Sequence, residues 1–143
     1  MTICMSASAE SRAPQKSTAG ATILLVDDSD AVLEHLSGEF LKRGYRPVTA
    51  RDGVEAQALL AQHSDVSLAI VDLHMPNMNG QELLEHVRAI PGLEKLPVVI
   101  LTTDRKPANL DRAVMSGATG WVLKPYEPER LIDTVGKIIQ KSA

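Results

Sequence analysis

The chain has 143 residues, enough for one domain with a proper core, and a hydrophobic fraction of 44% with 3% aromatics makes that core aliphatic. The formal net charge is −3 and no basic stripe is visible, which argues against a nucleic-acid surface. No apolar stretch approaches the length of a membrane span, so no membrane contact is expected.

Residues 1–20 are Ser, Ala, Thr, Lys, Pro and Gly with little apolar periodicity, and are read as a disordered tail before a domain over 21–141. They lack the basic start and apolar centre of a signal peptide. The single cysteine, Cys4, lies here and can form no internal disulfide, which fits a cytoplasmic location. From Thr22 short apolar runs alternate with amphipathic stretches. Thr22–Val26 reads as a buried strand. Ser29 or Asp30 can cap the next helix, where Val32, Leu33, Leu36, Phe40 and Leu41 recur at helical spacing and Gly44 is the stop. Arg46–Ala50 is a short strand. Asp52–Ala61 is a helix with Val54, Ala58 and Leu59 or Ala61 inward. Strand three is Ser67–Val71, and helix three is Gly80–Ala89 with Leu83, Leu84 and Val87 inward. Pro97–Leu101 is a strand, Ala108–Ser116 a helix ended by Gly117, and Gly120–Leu123 the fifth strand. Glu127–Gln140 closes the chain as a helix with Leu131, Ile132, Val135, Ile138 and Ile139 on one face. Strands that read as continuous apolar runs between helices predict an α/β fold, a parallel sheet covered on both faces.

The chemistry sits where the runs stop. Ile23-Leu24-Leu25-Val26 ends in Asp27-Asp28, and Leu68-Ala69-Ile70-Val71 ends in Asp72, followed by Leu73-His74-Met75-Pro76-Asn77-Met78-Asn79-Gly80. The last two runs end in Thr102-Thr103 and Lys124-Pro125. If the first and third runs are neighbouring parallel strands, three carboxylates converge at one sheet edge. Like charges at close range need neutralising, and an all-oxygen donor set favours Mg²⁺ or a similar hard ion. A carboxylate can attack phosphorus, while a metal, a lysine and a hydroxyl stabilise the phosphoryl oxygens. Each residue also has a plainer reading. Asp27 and Asp28 could cap a helix, Asp72 could close a turn, Thr102 could be a β-branched strand end, Lys124 could be solvated, and Trp121 could be packing on a sheet face.

Taken together, Asp27-Asp28, Asp72, Thr102 and Lys124-Pro125 at successive strand ends resemble the receiver domain of two-component response regulators, over roughly Ala21 to Lys141. The resemblance implies a flavodoxin-like (CheY-like) three-layer sandwich, a five-stranded parallel sheet in the order 2-1-3-4-5 that places the first and third strands at the switch point. It implies Asp72 as phosphoacceptor and a Mg²⁺ site. Asp28 and Asp72 would be ligands, Asp27 would act through a water, and the His74 backbone carbonyl would complete the set while its imidazole stays exposed. Thr102 corresponds to the family's mobile hydroxyl, Trp121 to its aromatic switch residue, and Lys124 to its site lysine, with a cis Lys-Pro peptide. Thr103 departs from the small residue usual there.

Leu101-Thr102-Thr103 and Thr119 to Glu129 resemble the chemotaxis-type branch. The expected partners are a histidine kinase as phosphodonor and a downstream protein on the face made by helix four, strand five and helix five. With no residues after Ala143 for an output domain, a stand-alone regulator is expected, a monomer or weak dimer. It is not expected to be an enzyme beyond promoting its own phosphorylation and dephosphorylation. A phosphotransfer intermediate in a multi-step relay, or a receiver fragment of a larger regulator, would carry the same residues. A metal-dependent phosphatase ranks last, because such enzymes carry an Asp-x-Asp pair and a cap insertion, whereas the pair here is adjacent and the loops are short.

Overall fold

The structure, a computed structural model, describes residues 20–142 except 64 and 76. The tail reading of residues 1–20 therefore lies, but for Gly20, outside the described residues. Strands and helices alternate strictly: β1 (Thr22–Val26), α1 (Asp30–Lys42), β2 (Arg46–Ala50), α2 (Gly53–Gln62), β3 (Val66–Asp72), α3 (Gly80–Ala89), β4 (Val98–Thr102), α4 (Pro107–Met115), β5 (Gly120–Leu123) and α5 (Pro128–Ser142). The strands pair in parallel in the order β2-β1-β3-β4-β5, as expected.

The alternation of side chains along each strand divides the core in two. Ile23, Leu25, Leu68, Ile70, Val99, Leu101 and Val122 point to one face, where α1 lays Leu33, Leu36 and Phe40 and α5 lays Leu131, Ile132, Val135, Ile138 and Ile139. Leu24, Val26, Ala69, Val71, Val98 and Ile100 point to the other, covered by Ala56, Leu60, Leu83, Leu84, Val87 and Ala113. Because both faces are covered, the central strands show no polar alternation in sequence. β2 lies at the edge and carries Pro47, which an edge strand tolerates.

Local chemistry explains most boundaries. The Ser29 hydroxyl caps α1 by accepting the Val32 N–H, and Gly44 follows its end at φ 88°. Asp52 caps α2 from outside, accepting the Glu55 N–H at 2.8 Å. β4 starts at Val98, one residue later than expected, since Pro97 has no N–H to donate and only its carbonyl joins the ladder, accepting from Ala69. Pro107 opens α4 in the first-turn position that suits proline.

Two inward faces differ from expectation. Leu41 is 60% exposed and Val54 55% exposed. The buried residues of α2 are Gly53, Ala56 and Leu60, with Ala58 and Ala61 in solvent, while Leu59, the other alternative, is half-buried against the core. Small residues decide this face, because Gly53 lies so close to the Met78 side chain that an added Cβ would sit 2.7 Å from it.

Candidate functional site at the carboxyl edge of the sheet

The registers Val26↔Val71, Asp72↔Leu101 and Thr102↔Leu123 bring the ends of β1, β3, β4 and β5 to one edge. Asp27, Asp28, Asp72, Thr102 and Lys124 converge there, as the sequence reading expected. A carboxylate oxygen from each of Asp27, Asp28 and Asp72 lies within 4.8 Å of the others. Lys124 Nζ donates to Asp72 Oδ1 at 3.2 Å and to Asp27 Oδ2 at 3.3 Å. The second Asp27 oxygen accepts the Ser29 N–H at 2.9 Å, so both of its oxygens are engaged within the protein. Asp27 and Asp72 are buried and Asp28 is exposed, forming the solvent side of the cluster. The Lys124–Pro125 peptide is cis.

Three carboxylates stand at this edge with one ammonium that bonds to two of them, and that count sets the electrostatics. The Asp72 carboxyl is raised from its ordinary value, first by burial and also by Asp27 and Asp28, against the opposing pull of Lys124. Lys124 loses some basicity to burial, but the attraction of Asp72 and Asp27 wins and its ammonium is favoured overall. Both values are raised, which disfavours the charged form of Asp72 and favours that of Lys124, because burial outweighs the lysine at Asp72 while two anions outweigh burial at Lys124. For Asp72 the raised value means that the folded state binds its proton more readily than the unfolded chain. Stability is therefore lost as pH rises through the window between the ordinary and the raised value. A hard divalent cation fits this set: the donors are all oxygen, the charge is unbalanced, and the Asp28 side is open to the waters such an ion retains.

Thr102 is fully buried at the end of β4, and its Oγ1 accepts the Asp104 N–H at 2.9 Å. Thr103 is exposed, as is the His74 side chain. Trp121 is half-buried against the α2–α3 face of the core.

The loop after Asp72 is held by contacts that sequence reading missed. Asn77 has φ 67°, a conformation asparagine tolerates, and its Nδ2 donates to Asp52 Oδ2 at 2.8 Å. Gly53 N–H donates to the Met78 carbonyl at 3.3 Å. Asn79 and Glu82 form a reciprocal cap at the start of α3. Gly80 packs so tightly that an added Cβ would sit 2.5 Å from the Asp72 carbonyl oxygen and 3.0 Å from Leu73 Cα. Both neighbours are backbone, so Gly80→Ala should displace the loop or strand end and cost about 1–3 kcal/mol in a denaturant titration. Unchanged stability would mean that the approach is slack. Tyr126, also missed, is half-buried against the α1–α5 core, and its phenol is pushed up to about 12 by burial and by the negative charge of Asp27 and Asp72.

The profile described as "Response regulator receiver domain" matches residues 23–136, spanning every residue of the acid–lysine edge. The chain belongs to the response regulator receiver family. This receiver is 35% identical over 119 residues to a chemotaxis protein CheY homolog of Campylobacter jejuni, a match covering 80% of the chain and 92% of the relative. Among solved structures it is similar to the Vibrio cholerae chemotaxis protein CheY4, with 36% identity, a TM-score of 0.77, and coverage of 82% of this chain and 97% of that one. It is also similar to the receiver domain of a signal transduction histidine kinase from Syntrophus aciditrophicus, with 31% identity, a TM-score of 0.78, and coverage of 87% and 92%. The fold is therefore the CheY-like one, and the chain is a receiver of the two-component type. Among the described residues no helix is long and apolar enough to cross a membrane.

Proposed function

We propose that this receiver takes a phosphoryl group from a histidine kinase onto Asp72 and signals by contact with a downstream protein. The observation that carries the reading is the pairing of Asp72 with Lys124 at 3.2 Å inside a cluster of three carboxylates. A carboxylate oxygen of Asp72 attacks phosphorus, the phosphorus–nitrogen bond to the donor histidine breaks, and the leaving imidazole nitrogen takes up a proton. Lys124 stays at Asp72 and neutralises charge on the phosphoryl oxygens. Asp28 and Asp72 would hold Mg²⁺ directly, Asp27 would reach it through a water, and the His74 carbonyl would complete the protein ligands. When bound, the ion supplies further charge neutralisation and orients the phosphoryl group. The protein is not otherwise an enzyme, and promotes only the gain and loss of its own phosphoryl group.

Output follows from Thr102. Its hydroxyl turns to the phosphoryl oxygens, the Asp104 N–H loses its acceptor, and Trp121 moves inward behind it. The face of α4, β5 and α5 then changes shape. Val114 (43% exposed) and Met115 (87% exposed) offer α4 apolar contact there. The protein works in the cytoplasm as a monomer or weak dimer of the chemotaxis type. A second reading, an intermediate in a multi-step relay or part of a larger regulator, is favoured by the similarity to a receiver belonging to a histidine kinase.

The test is incubation with acetyl phosphate and Mg²⁺. Expected is one acid-labile, hydroxylamine-sensitive phosphate on Asp72, blocked by a chelator. The emission of Trp121 should shift with Mg²⁺ and beryllofluoride and much less with Mg²⁺ alone. Thr102→Ala should remove most of that shift while phosphate uptake persists. A phosphate on another residue, or none, would refute the reading.

A further inference from the structure

Among the described residues α4 has the least purchase on the sheet, with Ala113 its one buried residue and Pro107 to Asn109 all exposed. Its two ends are held in different ways. At the N-terminal end Lys106 provides no side-chain cap. The contact at this end comes from Asp104, which accepts the Lys106 N–H at 2.8 Å and Asn109 Nδ2 at 2.5 Å, while its own N–H rests on Thr102. The bonds accepted by the Asp104 carboxylate are exposed to water. At the C-terminal end two side chains of α3 reach across. Gln81 is 7% exposed, and its amide nitrogen donates to Ser116 Oγ and to Glu85 Oε2 at 3.0 Å. Arg88 donates to the Gly117 carbonyl through Nε at 3.1 Å and Nη2 at 2.7 Å, and through Nη1 to the Leu93 carbonyl at 3.2 Å. Gly117 has φ 107°, and an added Cβ would lie 2.8 Å from Arg88 Nε.

We propose that Gln81 and Arg88 are positioning residues that pin the C-terminal end of α4 as a pivot, so that α4 swings from its Thr102 end. The inference rests on the reading of α4 as part of the output face. The asymmetry of the two ends carries it. Water replaces a lost bond at Asp104 at little cost, whereas Gln81 without Ser116 leaves a donor stranded in the interior. The guanidinium also sits on a carbonyl just past a helix C-terminus, where positive charge is favoured. The frame of the pivot is α3, the helix whose first residue abuts the Asp72 carbonyl. The helix that moves is thus hinged to the helix that abuts the acceptor.

Amide hydrogen exchange on the full chain without phosphodonor tests this in wild type, Gln81→Leu, Ser116→Ala and Arg88→Met. Gln81→Leu keeps the volume and removes both bonds. Exchange across residues 110–117 should speed up about tenfold, with protection in β1, β3 and α5 unchanged. Arg88→Lys, which keeps one donor, should fall between wild type and Arg88→Met. The emission of Trp121 in these variants should already be shifted without beryllofluoride, and the further change on adding Mg²⁺ with beryllofluoride should shrink. Unchanged α4 exchange, or equal acceleration everywhere, would overturn the pivot and leave Gln81 and Arg88 as core packing. A wild-type spectrum that beryllofluoride does not move would overturn the proposed Thr102–Trp121 output step instead, and the exchange pattern then decides the pivot by itself.

Discussion

Asp72→Asn is expected to abolish uptake of acid-labile phosphate and to make the metal-free protein more stable at neutral pH. The amide keeps the volume of the carboxyl, and its oxygen can still accept from Lys124. It is not a nucleophile toward phosphorus, so uptake from acetyl phosphate should fall to background. The stability gain follows from the charge count. Burial disfavours the ionised Asp72, and Asp27 and Asp28 add repulsion that one shared lysine does not cancel. Removing the charge relieves that penalty, while Lys124 keeps Asp27 as a partner at 3.3 Å. The sign with pH is fixed. The carboxyl of the folded state lies above its unfolded value, so wild type loses stability as pH rises through that window. The advantage of the variant should therefore be full at pH 7 and vanish once the pH is below the ordinary carboxylate range. Thermal melts of both proteins at several pH values check it. A variant less stable than wild type at pH 7 would mean that the Asp72–Lys124 pair outweighs burial and repulsion.

The acid–lysine edge was legible because the fold puts its chemistry where hydrophobic runs stop. These buried strands run apolar over the four residues before the chemistry begins, so Asp27, Asp72, Thr102 and Lys124 stand out from their neighbours. Helix α2 was harder. Val54, Ala58 and Ala61 make as good an apolar face as Ala56 and Leu60, and the close approach of Gly53 to Met78 lies on the face that is buried. Leu41 misled for a related reason, since Phe40 beside it takes the buried position at the end of α1. What anchors α4 could not be read at all. Gln81 and Ser116 are 35 residues apart, Arg88 and Gly117 are 29 apart, and no local spacing announces such partners. The support of the Asp72 loop by Asp52 and Asn77, 25 residues apart, was hidden in the same way.

Lys124→Met is expected to slow phosphorylation and to make folding depend on Mg²⁺. Among the described residues the ammonium is the one positive group hydrogen-bonded to Asp72. Losing a preorganised donor at a site of developing charge costs about a hundredfold in rate or more. The effect on stability follows from what is left behind. Asp27 and Asp72, 3% and 7% exposed, would face each other and Asp28 with no cation between them. Removing one partner of a fully buried pair costs about 3–5 kcal/mol. The Lys124 side chain is 23% exposed, so water screens part of this, and about 1–3 kcal/mol is the expected loss without metal. At neutral pH wild type enjoys the whole contribution of the ammonium, because its raised value delays deprotonation to the alkaline range, where that contribution is lost as pH rises through it. In the variant the Asp72 carboxyl should move up further, so its stability should recover as pH falls toward that value. Mg²⁺ should restore stability at pH 7 by binding only the folded state. Denaturant titrations at pH 7 with and without Mg²⁺, and at pH 5 without it, separate these terms. A variant as stable as wild type without metal, and phosphorylated at the same rate, would reduce Lys124 to a surface lysine that merely lies near the acids.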